Sequence, residues 1–313
     1  MRRWRMALAA LLFGFAMPAA AETLTIAAND PPERANVNDL VRIAVDRFEG
    51  EDGAEFAQGI EAALGTVRFG NRPYFRMIGL ETGAAYDAIV TGSAKTALSE
   101  SNVTEKRKRC VEKDPANKDK CLKEDEVDIR CRRRIVTVSS TVRLAAVADG
   151  SVRYSRPLVT RDEQNICPDR QASRTIEDFV AEALRGQVDT IRRDVAPRAY
   201  TIDVRVDENR KGLDKPVAEA FKAAVRQTKT DPAGACDAWA AMTRDAEPTA
   251  ALAFNLGLCA EQRHEFAAAG DWYGQAQRLG SKSRDIPAAL ERMARTQRTL
   301  ADWEARQRLM DGN

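Results

Sequence analysis

The sequence predicts an α+β sandwich domain with the element order β-α-β-β-β-α-β, followed by an all-α helical domain. Three observations predict it. Apolar residues alternate with a period of two through 133–160. They recur with a helical period in 55–65 and 175–195. After residue 216 the composition turns to Ala, Arg and Gln and the helical period takes over.

Residues 22–38 hold Pro31-Pro32 and little periodicity, and read as a leader. Leu40, Val41, Ile43, Ala44 and Val45 form a short apolar run, the signature of a buried strand. Asp52-Gly53 breaks into a helix that puts Phe56, Ile60, Ala63 and Leu64 on one face, with Gly65 suited to its C-terminal cap. Strands are expected at 73–80 and 86–98, the second weakened midway by Gly92.

Residues 99–134 form a densely charged insertion. In the hairpin that follows, Val136, Val138, Val142, Leu144 and Ala146 share one face and Asp149-Gly150 supplies a two-residue turn. Thr175 caps the next helix, with Asp178 three residues on. Its apolar stripe runs through Ile176, Phe179, Val180, Ala183, Leu184, Val188, Ile191 and Val195, and Pro197 stops it. Tyr200, Ile202, Val204 and Val206 alternate in a final strand, closing a domain over 39–206.

Residues 207–216 are polar, with Gly212 and Pro216, and read as a linker. In the helical domain, 217–310, Asp231-Pro232 is an N-cap followed by proline at the first helical position. Ala235, Trp239 and Met242 recur 34 residues later as Ala269, Tyr273 and Ala276. With Asn255-Leu256-Gly257 in the preceding helix, this pattern resembles the tetratricopeptide repeat, whose small and aromatic positions interlock antiparallel helices. The fairer copy is 250–281 and the degenerate one 217–248; residues 285–310 read as a capping helix.

The chain opens with Arg2, Arg3 and Arg5, then a short apolar run from Met6 to Met17, then Ala19-Ala20-Ala21. This is the layout of a secretory signal peptide over 1–21. The apolar run is short of the ~20 residues a spanning helix needs. Removing it takes three arginines and no acid, so the formal charge of +2 becomes −1. That balance argues against a nucleic-acid partner. A periplasmic, unlipidated protein is expected, with secretion as the second choice.

An oxidising compartment makes the six cysteines three disulfides. Their wide spacing argues against a zinc site. Cys236 and Cys259 sit at one height on consecutive helices and are expected to bond. The hairpin turning at Asp149-Gly150 brings Cys131 nearly opposite Cys167. That leaves Cys110 and Cys121 to close a small loop, so that 106–131 is an oxidised, solvent-facing loop. The rival pairing joins Cys110 to Cys131 and Cys121 to Cys167. The first is favoured because its turn is explicit in the sequence, whereas the rival needs a turn inside a charged segment.

Three segments, "RIAVDRFEG…EFAQGIEAAL", "YDAIVTGSA" and "VRLAAVADGSVRYSRPLV", together resemble the CsgG/LpoB type of envelope domain, itself similar to the N-terminal domain of TolB. The resemblance implies a binding and assembly module of the cell envelope. The chain departs from that pattern in lacking a cysteine to lipidate, and its long insertion is too charged to face lipid.

With His264 as the single histidine there is no Ser-His-Asp or Cys-His arrangement. No phosphate-binding glycine motif occurs. The expected function is therefore a non-catalytic envelope adaptor without cofactor or metal, whose partners are envelope proteins or peptides. Phe254, Leu258, Glu261 and Gln262 are candidate partner-binding residues on the first helix of the better repeat. Core packing is the competing expectation for Phe254 and Leu258. The alternatives are a homo-oligomeric subunit or collar of an outer-membrane secretion channel, and an acid-dependent hydrolase whose paired carboxylates the sequence does not single out. The run Lys106–Arg109 reads as a solvated edge, with contact to an anionic polymer as the lesser reading.

Overall fold

A computed structural model describes residues 22–34, 37–244 and 247–311. The expected signal peptide, 1–21, lies outside the described residues. The chain divides into two compact units, one of residues 22–28 and 201–293, the other of 29–200 and 294–311. These limits differ from the expected 39–206 and 217–310.

The second unit holds β2 (Arg42–Val45), α1 (Gly53–Gly65), the short strands β3 (Arg68–Phe69), β4 (Arg72–Pro73) and β5 (Arg76–Met77), then β6 (Ala88–Lys113), β7 (Cys121–Ala146), β8 (Val152–Ile166) and α2 (Ile176–Val195). They follow β1 (Thr23–Asp30) and precede β9 (Arg198–Arg205). One sheet has the order β5-β2-β6-β7-β8. Its β2 runs parallel to β5 and β6, while β6, β7 and β8 form an antiparallel meander.

The period of two decides which face of this sheet is buried. Ala88, Val90 and Ala94 of β6 and Val136, Val138, Val142, Leu144 and Ala146 of β7 join one core. The same core holds Phe56, Ile60 and Leu64 of α1 and Phe179, Leu184 and Ile191 of α2. Helix α2 starts where Thr175 Oγ1 accepts from the Asp178 N–H at 3.0 Å. Gly92 does not interrupt β6. A Cβ there would lie 2.1 Å from the Thr141 carbonyl oxygen and 2.6 Å from the Phe48 ring, so glycine is what admits Phe48 to the core.

Four expectations are corrected. The leader contains a strand, β1, whose Leu24, Ile26 and Ala28 are buried. The final strand, β9, pairs with β1 in a separate two-stranded sheet. Only Arg76–Met77 of the expected strand 73–80 joins the main sheet. The connection after β7 is longer than two residues: a register shift between Leu144 and Ala145 moves the turn to 147–151, with Gly150 at φ 68°.

The first unit is built from α3 (Lys215–Gln227), α4 (Pro232–Met242), α5 (Ala250–Gln262), α6 (Phe266–Arg278) and the opening turns of α7 (Asp285–Asp311). Asp214, Asp231 and Thr249 cap the first three with side-chain oxygens. The echoed positions are structural: Ala235, Trp239, Ala269, Tyr273 and Ala276 are all fully buried. Gly257 lets α6 approach α5, since a Cβ there would sit 2.6 Å from the Tyr273 ring.

Candidate functional site

Strands β6 and β7 are each 26 residues long. The rest of the sheet does not follow them: β2 pairs with β6 over Ala88–Val90, and β8 pairs with β7 no farther than Arg132. Beyond Val103 and Cys131 the two strands continue alone as a ribbon, about 35 Å long at the rise of an extended chain. The expected charged loop is thus a correction: 106–131 is a β-ribbon with a tight tip.

The register of this charged segment sets opposite charges, and no like charges, across from each other. The ladder sets Lys106 opposite Asp128, Lys108 opposite Glu126 and Arg109 opposite Asp125. Directly opposed residues lie on one face and within reach of each other, so each pair contributes favourably. At the tip, the Asp114 N–H donates to the Lys120 carbonyl at 3.0 Å, and Asp114 Oδ1 accepts from the Ala116 N–H at 2.9 Å.

The structure joins Cys110 to Cys121, Cys131 to Cys167, and Cys236 to Cys259. The first bond closes the ribbon tip. The second is a matter of register. The ladder sets Leu144 opposite Tyr154 and ends with Arg132 opposite Ile166, so the next positions out are Cys131 and Cys167. In the rival pairing Cys110 would have to meet Cys131, but the ladder places Cys110 opposite Glu124 and Cys131 opposite Val103. The turn inside the charged segment does exist, which removes the reason given for preferring one pairing; register is what separates them.

Cys131, Cys167 and Ile129 form a small core of their own, with Val103 and Val127 packed against it. A strap folded back after β8 covers it: Cys167 and Arg170 exchange main-chain hydrogen bonds of 2.9 and 3.0 Å. Ion pairs pin the strap to the ribbon. Arg107 Nη1 donates to Asp169 at 3.0 Å, Arg109 also pairs with Asp169, and Arg170 Nη2 donates to Glu105 at 2.9 Å. Glu105 further accepts from Arg107 Nε at 3.0 Å and Asn165 Nδ2 at 2.6 Å. These hydrogen bonds, from Arg107 first and then Asn165, hold the Glu105 carboxyl below the usual range. The hydrogen bond from Arg109 does the same for Asp169.

Glu105 and the two sulfurs lie within 4.8 Å of one another. With Cys131 and Cys167 bonded together, that cluster has one carboxylate to offer a metal. At the far end the tip presents two exposed apolar side chains, Val111 and Leu122, beside the Cys110–Cys121 bond.

The candidate partner-binding residues of the helical unit are placed differently from the expected open face. Phe254, Leu258 and Glu261 are buried, and Gln262 donates to the Thr25 carbonyl at 3.1 Å. Phe254 and Leu258 share a core with Leu24, Ile26, Val204 and Val206, so the chain's own strands occupy that side of α5. Glu261 accepts from Arg292 at 2.7 and 2.8 Å and from the Tyr273 hydroxyl at 2.7 Å. Burial, then the Glu261 charge, drives the Tyr273 phenol far above its ordinary value. His264 is exposed in the left-handed turn between α5 and α6, at φ 60°.

Sequence reasoning missed the strap and its ion pairs. A signal was present: the basic run at 106–109 and the acidic run at 124–128 are complementary when read in opposite directions. The partners Asp169 and Arg170 carried no comparable signal.

No family model matches the chain, and no curated protein does. Among solved structures, a PelC dodecamer from Paraburkholderia phytofirmans is similar at TM-score 0.25 and 10% identity, over 53% of this chain and 97% of that one. A neuraminyllactose-binding hemagglutinin homolog from Helicobacter pylori is similar at TM-score 0.29 and 8% identity, over 52% of this chain and 83% of that one. Overlaps this low carry nothing about what the chain does. Three disulfides are present, and no helix among the described residues is long and apolar enough to cross a membrane.

Proposed function

We propose that the protein is a non-catalytic adaptor of the cell envelope, whose ribbon tip is the surface that meets a protein partner. The expected CsgG/LpoB-like character of the α/β unit and the repeat-like character of the helical unit belong to this reading. One observation carries it. Two of the three disulfides brace the ribbon, which adds nothing to either principal core. A disulfide restrains the chain most usefully where burial cannot. Here the restraint holds a projecting shape, and a projecting shape has its value in what it reaches. The exposed Val111 and Leu122 at its end supply an apolar centre within a charged rim, the layout of an interface patch.

The absence of catalysis is part of the proposal. Acids such as Asp194 and Glu261 are buried against arginines rather than against one another.

The test is site-specific photocrosslinking in the native envelope. A photoreactive residue at position 111 or 122 is expected to capture one protein partner, while the same residue at exposed position 159 captures none. Equal capture from all three positions, or none from the tip, overturns the proposal.

A further inference from the structure

A second feature of the α/β unit stands apart from the ribbon. An open cleft of about 320 Å³ is lined by Asp30, Pro31, Pro32, Glu33, Arg193 and Ala196, with Arg198 and Arg295. Three elements bring three guanidinium groups to it: the last turn of α2, the first residue of β9, and α7. Two carboxylates face them. Asp30 is committed twice, accepting from Arg198 Nη2 and Arg295 Nε at 2.9 Å each. Glu33 reaches Arg193 only at 3.9 Å, with both side chains well exposed. Arg193 Nη2 donates to Thr190 Oγ1 at 3.2 Å.

The walls supply the second half of the chemistry. Pro31 and Pro32 have no N–H to satisfy. Ala196 is buried, and the aliphatic stems of the arginines add apolar surface. The Glu33 N–H donates to the Arg193 carbonyl at 3.0 Å, which fixes the proline wall against the end of α2. A cleft of this size, with an apolar proline wall beside convergent charged groups, can hold a small molecule.

We propose that this cleft binds a small organic oxyanion, a carboxylate or phosphate on a compact apolar body. The oxyanion takes paired hydrogen bonds from Arg193 and Arg198, and the body lies along Pro31, Pro32 and Ala196. Guanidinium groups match both oxyanions by geometry. The inference rests on the cleft alone, so its failure and that of the ribbon proposal are separate events.

The test is calorimetric titration of the full exported chain with benzoate, benzamide and inorganic phosphate. Benzoate is expected to bind and neutral benzamide to fail. Tighter binding of phosphate than of benzoate assigns the phosphate arm, and the reverse assigns the carboxylate arm. Arg193→Gln, a surface change that leaves the core intact, is expected to weaken binding about tenfold or more, the loss of one charge-assisted pair. Arg185→Gln, outside the cleft, is expected to leave it unchanged. Failure of both anions to bind, or equal binding by the Arg193→Gln chain, overturns the proposal.

Discussion

Arg306 lies over the ring of Tyr74, 4.0 Å from its centroid, and donates to the Tyr74 carbonyl at 2.8 Å. The same guanidinium donates to the carbonyls of Val37, Asn38 and Leu40. It is almost wholly buried and has no carboxylate partner among the described residues, and burial pulls its pKa below the ordinary arginine value. Four carbonyls accept from one side chain. Arg306→Met is expected to strip this donor from all four, leaving Val37 only its bond from the Leu40 N–H at 3.0 Å, and to lower stability by about 3–5 kcal/mol, measured by urea unfolding. Arg306→Lys, which cannot reproduce the planar fork, is expected to recover only part of the loss.

The cross-strand charge pairs make a separable prediction. Lys108→Glu puts like charges opposite each other at Glu126 and is expected to loosen the ribbon by about 0.5–1 kcal/mol. Lys108→Glu with Glu126→Lys restores opposite charges and is expected to recover most of it. Amide exchange along Val103–Lys113 reads the change. Equal loss in the single and the double variant would show that pairing is not what holds these strands.

The three disulfides are expected to differ in what they protect. Replacing Cys236 and Cys259 by Ser removes a bridge within a buried core and is expected to cost about 3 kcal/mol of global stability. Replacing Cys110 and Cys121 is expected to leave the main unfolding transition in place while protease cuts the tip at 111–120 far faster. Limited proteolysis beside denaturant unfolding separates the two.

Acid should release the strap before it unfolds the sheet. The folded pKa values of Glu105 and Asp169 are depressed by hydrogen bonds from Arg107 and Arg109. Depressed carboxylates contribute stability that is full above their unfolded values and is lost as pH falls through the folded ones. The strap is therefore expected to be closed at neutral pH and to open below the ordinary carboxylate range. Amide exchange at Cys167 and Arg170 reads it, and raised salt is expected to shift the opening to higher pH.

Gly257→Ala tests the helical unit. The added methyl would meet the Tyr273 ring at 2.6 Å, and the ring is held by its hydroxyl on Glu261. A loss of about 1–3 kcal/mol is expected, against the small gain that alanine brings to an open helix position.

The sequence by itself determined the helices and the strands that carry a core face. Phe56, Ile60 and Leu64 recur at helical spacing, and Val136, Val138, Val142 and Leu144 alternate, because a single element must bury one side. Leu24, Ile26 and Ala28 alternate as well, but the run is short and Pro31-Pro32 follow it, a context that does not set it apart from a leader. Tertiary structure decided the rest. The charged ribbon has no buried face, so no one-strand pattern marks it; only the register shows that residues about twenty positions apart set opposite charges against each other. Whether Phe254 and Leu258 face a partner or a core is likewise absent from their own helix. It was settled when Leu24, Ile26, Val204 and Val206 closed over them, since burial is a property of what packs on a residue and not of the residue alone.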